Sequence, residues 1–180
     1  MLTAIFKKKL SDDQLSTIFV NGVLDVVDKS FSEVACLIKE DPAFVTPPDL
    51  SKANDGHFTM IVIVANLNFL GGSFEADQSV RLEKLIITKF SEIFEVEEGQ
   101  FKNYLTEYRN FISRVNHPSK NMIYGMSKAI FHKYKLNEYQ DDYFRSMDCP
   151  NPLFLKRMDE VVVNFIWNWE AFFKRYKMVG

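Results

Sequence analysis

Apolar residues recur every three to four positions over most of the chain, and this spacing constrains the fold more than any other feature. The spacing is clearest in residues 100–116, where charged and amide side chains occupy the positions between the apolar ones. A helix with this pattern buries one face and exposes the other to water. The apolar stripe consists of Phe101, Tyr104, Leu105, Tyr108, Phe111, Ile112 and Val115.

Similar stripes predict further helices over about 77–95, 118–134 and 151–177, with a shorter one over 138–147. Asn151 followed by Pro152 is typical of a helix start, since Asn caps the first turn and Pro tolerates its first position. The helix that follows is apolar almost all round. Such a helix usually lies in the middle of a bundle or at an oligomer contact.

The N-terminal third allows two interpretations. Ser11 with Gln14 resembles a capping box opening one helix, and Ser30 with Glu33 resembles a second, opening a helix through Ile38. Against this, the Asn-Gly pair at 21–22 between apolar runs is typical of a β-hairpin, and residues 58–65 are rich in β-branched side chains. A lone strand would lack hydrogen-bonding partners, so these two strand predictions depend on each other.

We therefore predict an all-α, single-domain bundle of about six to seven helices with a largely buried C-terminal helix. The alternative is an α+β fold with a small sheet from residues 16–27 and 58–65. Residues 41–56, with three prolines, form an irregular connection. The 40 residues before it are too few for a core of their own, so we expect a single domain over 1–180.

The net charge and the absence of known motifs argue against several classes of function. The 22 basic and 24 acidic residues give a net charge of −2, which predicts no nucleic-acid partner. The most apolar run, 58–70, contains Asn66 and Asn68 and is too short to span a bilayer. The two cysteines lie far apart, and no known cofactor, metal or nucleophile motif occurs. We expect a cytoplasmic protein without cofactor or metal.

Three hypotheses about function remain. The first is a non-enzymatic helical protein-interaction module. One form of it is a homodimer through Trp167, Trp169, Phe172 and Phe173 on the over-apolar terminal helix. The second is a carrier or sensor of an apolar small molecule held in a cavity between helices, motivated by the 17 Phe residues. The third is a hydrolase or transferase with a site around Arg109, Arg114, His117 and His132, whose spacing matches no known motif.

Overall fold

The computed structural model of the protein describes residues 7–50 and 53–179 and is mostly helical. The predicted all-α class is confirmed. The elements in chain order are β1 (Lys8–Leu10), α1 (Asp12–Lys39), α2 (Gly56–Leu70), α3 (Ala76–Ile93), α4 (Glu98–Asn116), α5 (Met122–Lys133), a 3₁₀ helix (Leu136–Tyr139), α6 (Asp142–Ser146), α7 (Pro152–Val162), a 3₁₀ helix (Val163–Phe165), α8 (Trp169–Arg175) and β2 (Tyr176–Met178).

Helix α2 lies at the centre of the bundle and packs against α1, α4 and α5. Ten of its fifteen residues are buried, among them the whole run from Ile61 to Leu67. The alternative small sheet is therefore wrong, because residues 16–27 and 58–65 are helical. β-branched residues disfavour a helix by at most about 0.7 kcal/mol each, whereas burying one such side chain contributes about 1.5–3 kcal/mol, so burial decides.

Helix α1 is one continuous helix rather than the two that we predicted. The capping box at its start is present, with Gln14 N donating to Ser11 Oγ and Ser11 N donating to Gln14 Oε1. Gly22 is helical, and a Cβ added there would collide with the ring of Trp167. The glycine thus serves a close helix contact rather than a hairpin turn.

The predicted C-terminal helix is divided. Helix α7 ends at Val162, and after the 3₁₀ turn the chain is extended at Ile166 before α8 begins. Asn66, buried in α2, satisfies the backbone at this break: its Nδ2 donates to Phe165 O (2.9 Å), and its Oδ1 accepts from Trp167 N (2.7 Å). The predicted apolar stripe is nevertheless buried, at Leu155, Met158, Val162, Phe165, Trp169 and Phe172.

A two-stranded parallel sheet, absent from the sequence predictions, joins the ends of the described chain. Lys8 pairs with Tyr176 and Leu10 with Met178. Each strand has only three residues, which is too short to leave a periodic signal. The pairing brings Leu10, itself buried, against the C-terminal segment.

The connection between α1 and α2 is irregular, as predicted, but it is held in place. Arg157 donates two hydrogen bonds to the buried carboxylate of Asp41, at 2.7 and 2.6 Å. Phe44 is buried against Phe154, with ring centroids 5.1 Å apart.

The buried apolar residues form one cluster. The assignment of the chain to a single domain stays a prediction. In the part of the chain that is described, every helix is too short or too polar to traverse a bilayer.

Candidate functional site

An apolar cleft of about 610 Å³ opens between α1, the start of α2, and the junction of α3 with α4. Its volume falls within the roughly 300–1,000 Å³ typical of small-molecule sites. We call it the apolar cleft; its lining residues are Leu24, Val27, Asp28, Asn54, Asp55, Gly56, Thr59, Met60, Phe94, Val96, Phe101 and Tyr104.

The turn that ends α3 shapes one wall of the apolar cleft. Val96 N donates to Ser91 O (3.0 Å) and Glu95 N to Glu92 O (3.2 Å), which is the Schellman arrangement. Glu95 takes the left-handed conformation that this motif requires, with φ of 55°. The chain therefore reverses within two residues and presents both Phe94 and Val96 to the cleft.

The floor of the apolar cleft is buried and its rim is not. Phe101 and Val27, at 1% and 2% exposure, form the base together with Thr59. On the rim, Phe94 is 36% exposed and Tyr104 is 40% exposed. Large aromatic side chains left open to water beside a buried apolar floor are typical of a surface that another molecule covers.

Two acidic side chains border the apolar cleft. Among the described residues, Asp28 and Asp55 are the charged ones that line it. Asp55 stands at the N-cap of α2 without using its side chain as a cap. An apolar ligand with a neutral or cationic end therefore suits the described lining, whereas a carboxylate end would meet the carboxylates of Asp28 and Asp55.

Side chains from α4 and the end of α5 hold the mouth of the apolar cleft. Tyr134 Oη donates to Asn54 O (3.1 Å) and accepts from Phe58 N (3.1 Å). Burial raises the pKa of Tyr134 well above its ordinary value, so the phenol stays protonated and able to donate. His57 Nδ1 lies 2.6 Å from Tyr108 Oη. These contacts fix residues 54–58 relative to the cleft floor.

Burial lowers the pKa of His57 below its ordinary value, and the nearby charge of Lys133 lowers it further. The Lys133 ammonium stacks over the ring of Tyr108 at 4.5 Å. His57 is therefore mainly neutral at pH 7, and its hydrogen bond to Tyr108 is one between uncharged groups.

The four residues of the hypothetical hydrolase or transferase site lie in different surroundings. Arg109 pairs with Glu83 at 2.5 Å and lines a separate polar cavity. Arg114 stacks on Phe111 at 5.4 Å, and His117 ends α4. His132 lines another cavity beside Asp148, and its pKa is lowered by burial. Arg109 and His132 thus line separate cavities of the described chain, and the catalytic grouping stays a prediction.

The four residues of the hypothetical dimer contact belong to one aromatic cluster within the chain. Trp169 and Phe172 are buried, while Trp167 and Phe173 are partly exposed. Trp169 stacks on Phe19 at 5.5 Å between centroids. A homodimer through this face stays a prediction, with only part of the face open to a partner. The aromatic cluster consists of Phe19, Phe74, Trp167, Trp169, Phe172 and Phe173.

Comparison of the chain with family models, curated proteins and solved structures finds no match. Among the described residues, no group of three or more His, Cys, Asp or Glu side chains is placed to hold a metal ion.

The residues that form the apolar cleft were not singled out by sequence reasoning. Tyr104 and Phe101 were assigned to the buried stripe of one helix, whereas Tyr104 is 40% exposed.

Proposed function

We propose that the protein binds a small, largely apolar molecule in the apolar cleft and acts as a carrier or sensor of it. The observation that carries the proposal is the open volume of about 610 Å³ above a buried apolar floor. The rim of the cleft leaves apolar surface open to water, at a cost of about 25 cal/mol per Å². A ligand that covers Phe94 and Tyr104 removes part of that surface from water.

The affinity follows from the size of the ligand. A molecule of about twenty non-hydrogen atoms, at about 0.3 kcal/mol per atom, gains about 6 kcal/mol on binding. That free energy corresponds to a dissociation constant of tens of micromolar. The preferred ligand is neutral or carries a cationic end, because the carboxylates of Asp28 and Asp55 line the cleft.

The first test uses the uncharged fluorescent probe N-phenyl-1-naphthylamine. We expect a saturable rise in fluorescence at tens of micromolar with the unaltered protein. Leu24→Trp places a larger ring into the apolar cleft and should weaken binding at least tenfold. Leu37→Trp is the matched control: Leu37 lies on the same helix, is 51% exposed and does not line the cleft.

Equal binding by the two tryptophan variants would exclude the apolar cleft as the site. Circular dichroism of both variants shows whether each keeps the helical fold. A probe signal that rises without saturation indicates non-specific partition and also contradicts the proposal.

A second test separates the charge preference from the apolar contact. Decylammonium and decanoate share the same chain and differ in the sign of the head group. We expect decylammonium to displace the probe at several-fold lower concentration than decanoate. The double variant Asp28→Asn, Asp55→Asn should abolish this difference while leaving probe binding intact, because Asp55 does not cap α2 with its side chain. Preference for decanoate in the unaltered protein would overturn the charge assignment.

A further inference from the structure

Three aromatic rings line the apolar cleft, and they bear on the head group of its ligand. These are Phe94, Phe101 and Tyr104, and the ring centroids of Phe94 and Phe101 lie 5.8 Å apart. Phe94 and Tyr104 are exposed at the rim, so a ligand can reach them from solvent. The face of an aromatic ring carries a partial negative charge and attracts a cation that lies within about 6 Å of its centroid.

Elsewhere on α4 the chain supplies such a cation itself. Tyr104, Tyr108 and Phe111 lie on one side of this helix, because they are spaced four and three residues apart. Lys133 Nζ lies 4.5 Å from the ring centroids of both Tyr108 and Phe111. Among the described residues, no lysine or arginine lies over the three rings of the apolar cleft. Tyr104 is therefore the ring of this series whose cation the described chain does not provide.

The rings of the apolar cleft are held in place without a ligand. Gln100 Nε2 donates to Tyr104 Oη (2.8 Å), which ties the Tyr104 ring to the first turn of α4. Phe94 lies nearly parallel to Phe90, at 8° and with 6.0 Å between centroids, and Phe90 is fully buried. A ligand therefore meets rings in a fixed position and does not lose free energy by ordering them.

The carboxylates and the rings favour different properties of a cation. Asp28 and Asp55 are exposed at the lining, so they attract any cation while they keep their own hydration. A primary ammonium group has three N–H donors, and entry into apolar surroundings removes the water bound to them. A quaternary ammonium group has no N–H donor and carries its charge on methyl groups, which suit both ring faces and apolar side chains. The lining therefore favours a quaternary ammonium group over a primary one.

We infer that the ligand of the apolar cleft carries a quaternary ammonium head group, of the kind found in choline, with its methyl groups against Phe94 and Tyr104. The apolar remainder of the ligand covers the floor at Val27 and Phe101. The cleft volume of about 610 Å³ holds such a head group together with a chain of about ten carbons. This inference rests on the proposed function, because it specifies the head group of the ligand that the cleft is proposed to bind.

The experiment is isothermal titration of the full chain with decyltrimethylammonium, decylammonium and decanol, each below the concentration at which it self-associates. The three compounds share one chain and differ in the head group. We expect decyltrimethylammonium to bind about threefold or more tightly than decylammonium. Equal or weaker binding of decyltrimethylammonium overturns the inference.

Titration with choline distinguishes two sources of the head group. Tighter binding of decyltrimethylammonium than of choline supports an amphiphile, such as a lipid with a quaternary ammonium head. Equal binding of the two supports a small, freely soluble ammonium compound.

A double variant, Phe94→Leu with Tyr104→Leu, separates the electrostatic contribution of the rings from their apolar surface. Leucine keeps apolar contact and removes the ring, so decyltrimethylammonium binding should weaken about fivefold or more and decanol binding by about twofold or less. Retained decanol binding also shows that the double variant is folded. Phe111→Leu is the matched control, because Phe111 lies on the same side of α4 and does not line the cleft. It should leave both affinities unchanged.

The two possible failures give different results. If decanol binds saturably but the double variant weakens decyltrimethylammonium and decanol equally, the rings act only as apolar surface. The head group is then wrong and the proposed function stands. If neither N-phenyl-1-naphthylamine nor any of the three decyl compounds binds saturably, the proposed function and this inference are both wrong.

Discussion

The aromatic cluster and the apolar cleft are built from the same kinds of residue, yet one is filled and the other is open. In the aromatic cluster, Trp169 contacts Phe19, Phe74 and Phe172 at centroid distances of 4.8–5.6 Å. In the apolar cleft, Phe94 contacts Phe90 and Phe101 on one side and water on the other. Helical spacing decides which residues face inward, but the ends of the helices decide whether the space between them is filled.

The largest expected difference between the two regions is in the stability lost when one aromatic ring is removed from each. Trp169→Ala leaves a cavity among rings that cannot close around it, and we expect a loss of about 3–5 kcal/mol in the free energy of unfolding. Phe94→Ala removes a ring that is already 36% exposed, and we expect a loss of about 1 kcal/mol or less. Urea denaturation followed by circular dichroism measures both. Similar losses in the two variants would contradict the distinction between a filled and an open region.

A smaller change in stability is expected when a glycine is replaced by alanine at two positions. At Gly22 a Cβ collides with the Trp167 ring, so Gly22→Ala should cost about 1–3 kcal/mol of overpacking, partly offset by about 1 kcal/mol of helix propensity. Gly71 has no atom within 4 Å of an added Cβ and a φ of −62°, which alanine adopts freely. Gly71→Ala should therefore stabilise the fold by about 0.4–1 kcal/mol. Thermal denaturation of the pair tests this, and a stabilised Gly22→Ala would show that the Trp167 contact is loose.

Gly22 also shows where prediction from the sequence stops. The all-α class, the cap at Ser11 and the helices α3 to α5 follow from local spacing and capping residues, and all were predicted to within a few residues. The Asn-Gly pair carries a local hairpin signal that a tertiary contact overrides. The break before α8 is likewise tertiary, because the backbone groups it frees are satisfied by Asn66, a hundred residues earlier.

The apolar cleft and the polar cavity that Arg109 lines could not be predicted for the same reason. Each combines residues from at least three helices, and no short motif records how far apart helices lie. Arg109 was singled out in advance for its charge, but its neighbours Ser113 and Asn116 were not. Whether these side chains line one cavity depends on the position of α5. A sequence pattern places Asn116 on a helix and goes no further.

The smallest expected effect is a dependence of protein stability on pH, which arises from His57 at the mouth of the apolar cleft. Burial lowers the pKa of His57 in the folded protein, whereas an unfolded chain has a histidine pKa of about 6.5. Below about pH 6.5 the unfolded state therefore binds more protons, and stability falls as the pH falls. Because His57 is largely exposed to solvent, its contribution should be well under 1 kcal/mol. His132, whose pKa burial also lowers, acts in the same direction.

The variant His57→Gln distinguishes the pH effect of His57 from that of His132. It also tests whether the apolar cleft is less stable than the aromatic cluster. Between pH 7.5 and 5.5 the unaltered protein should bind the probe slightly more weakly before its tryptophan fluorescence changes, since His57 anchors the mouth of the apolar cleft through Tyr108 and both tryptophans lie in the aromatic cluster. The variant should show a shallower fall in stability over that range, and His132→Gln should not protect probe binding. If instead tryptophan fluorescence and probe binding change together at every pH, the two regions unfold as one unit, and the open cleft is no less stable than the filled cluster.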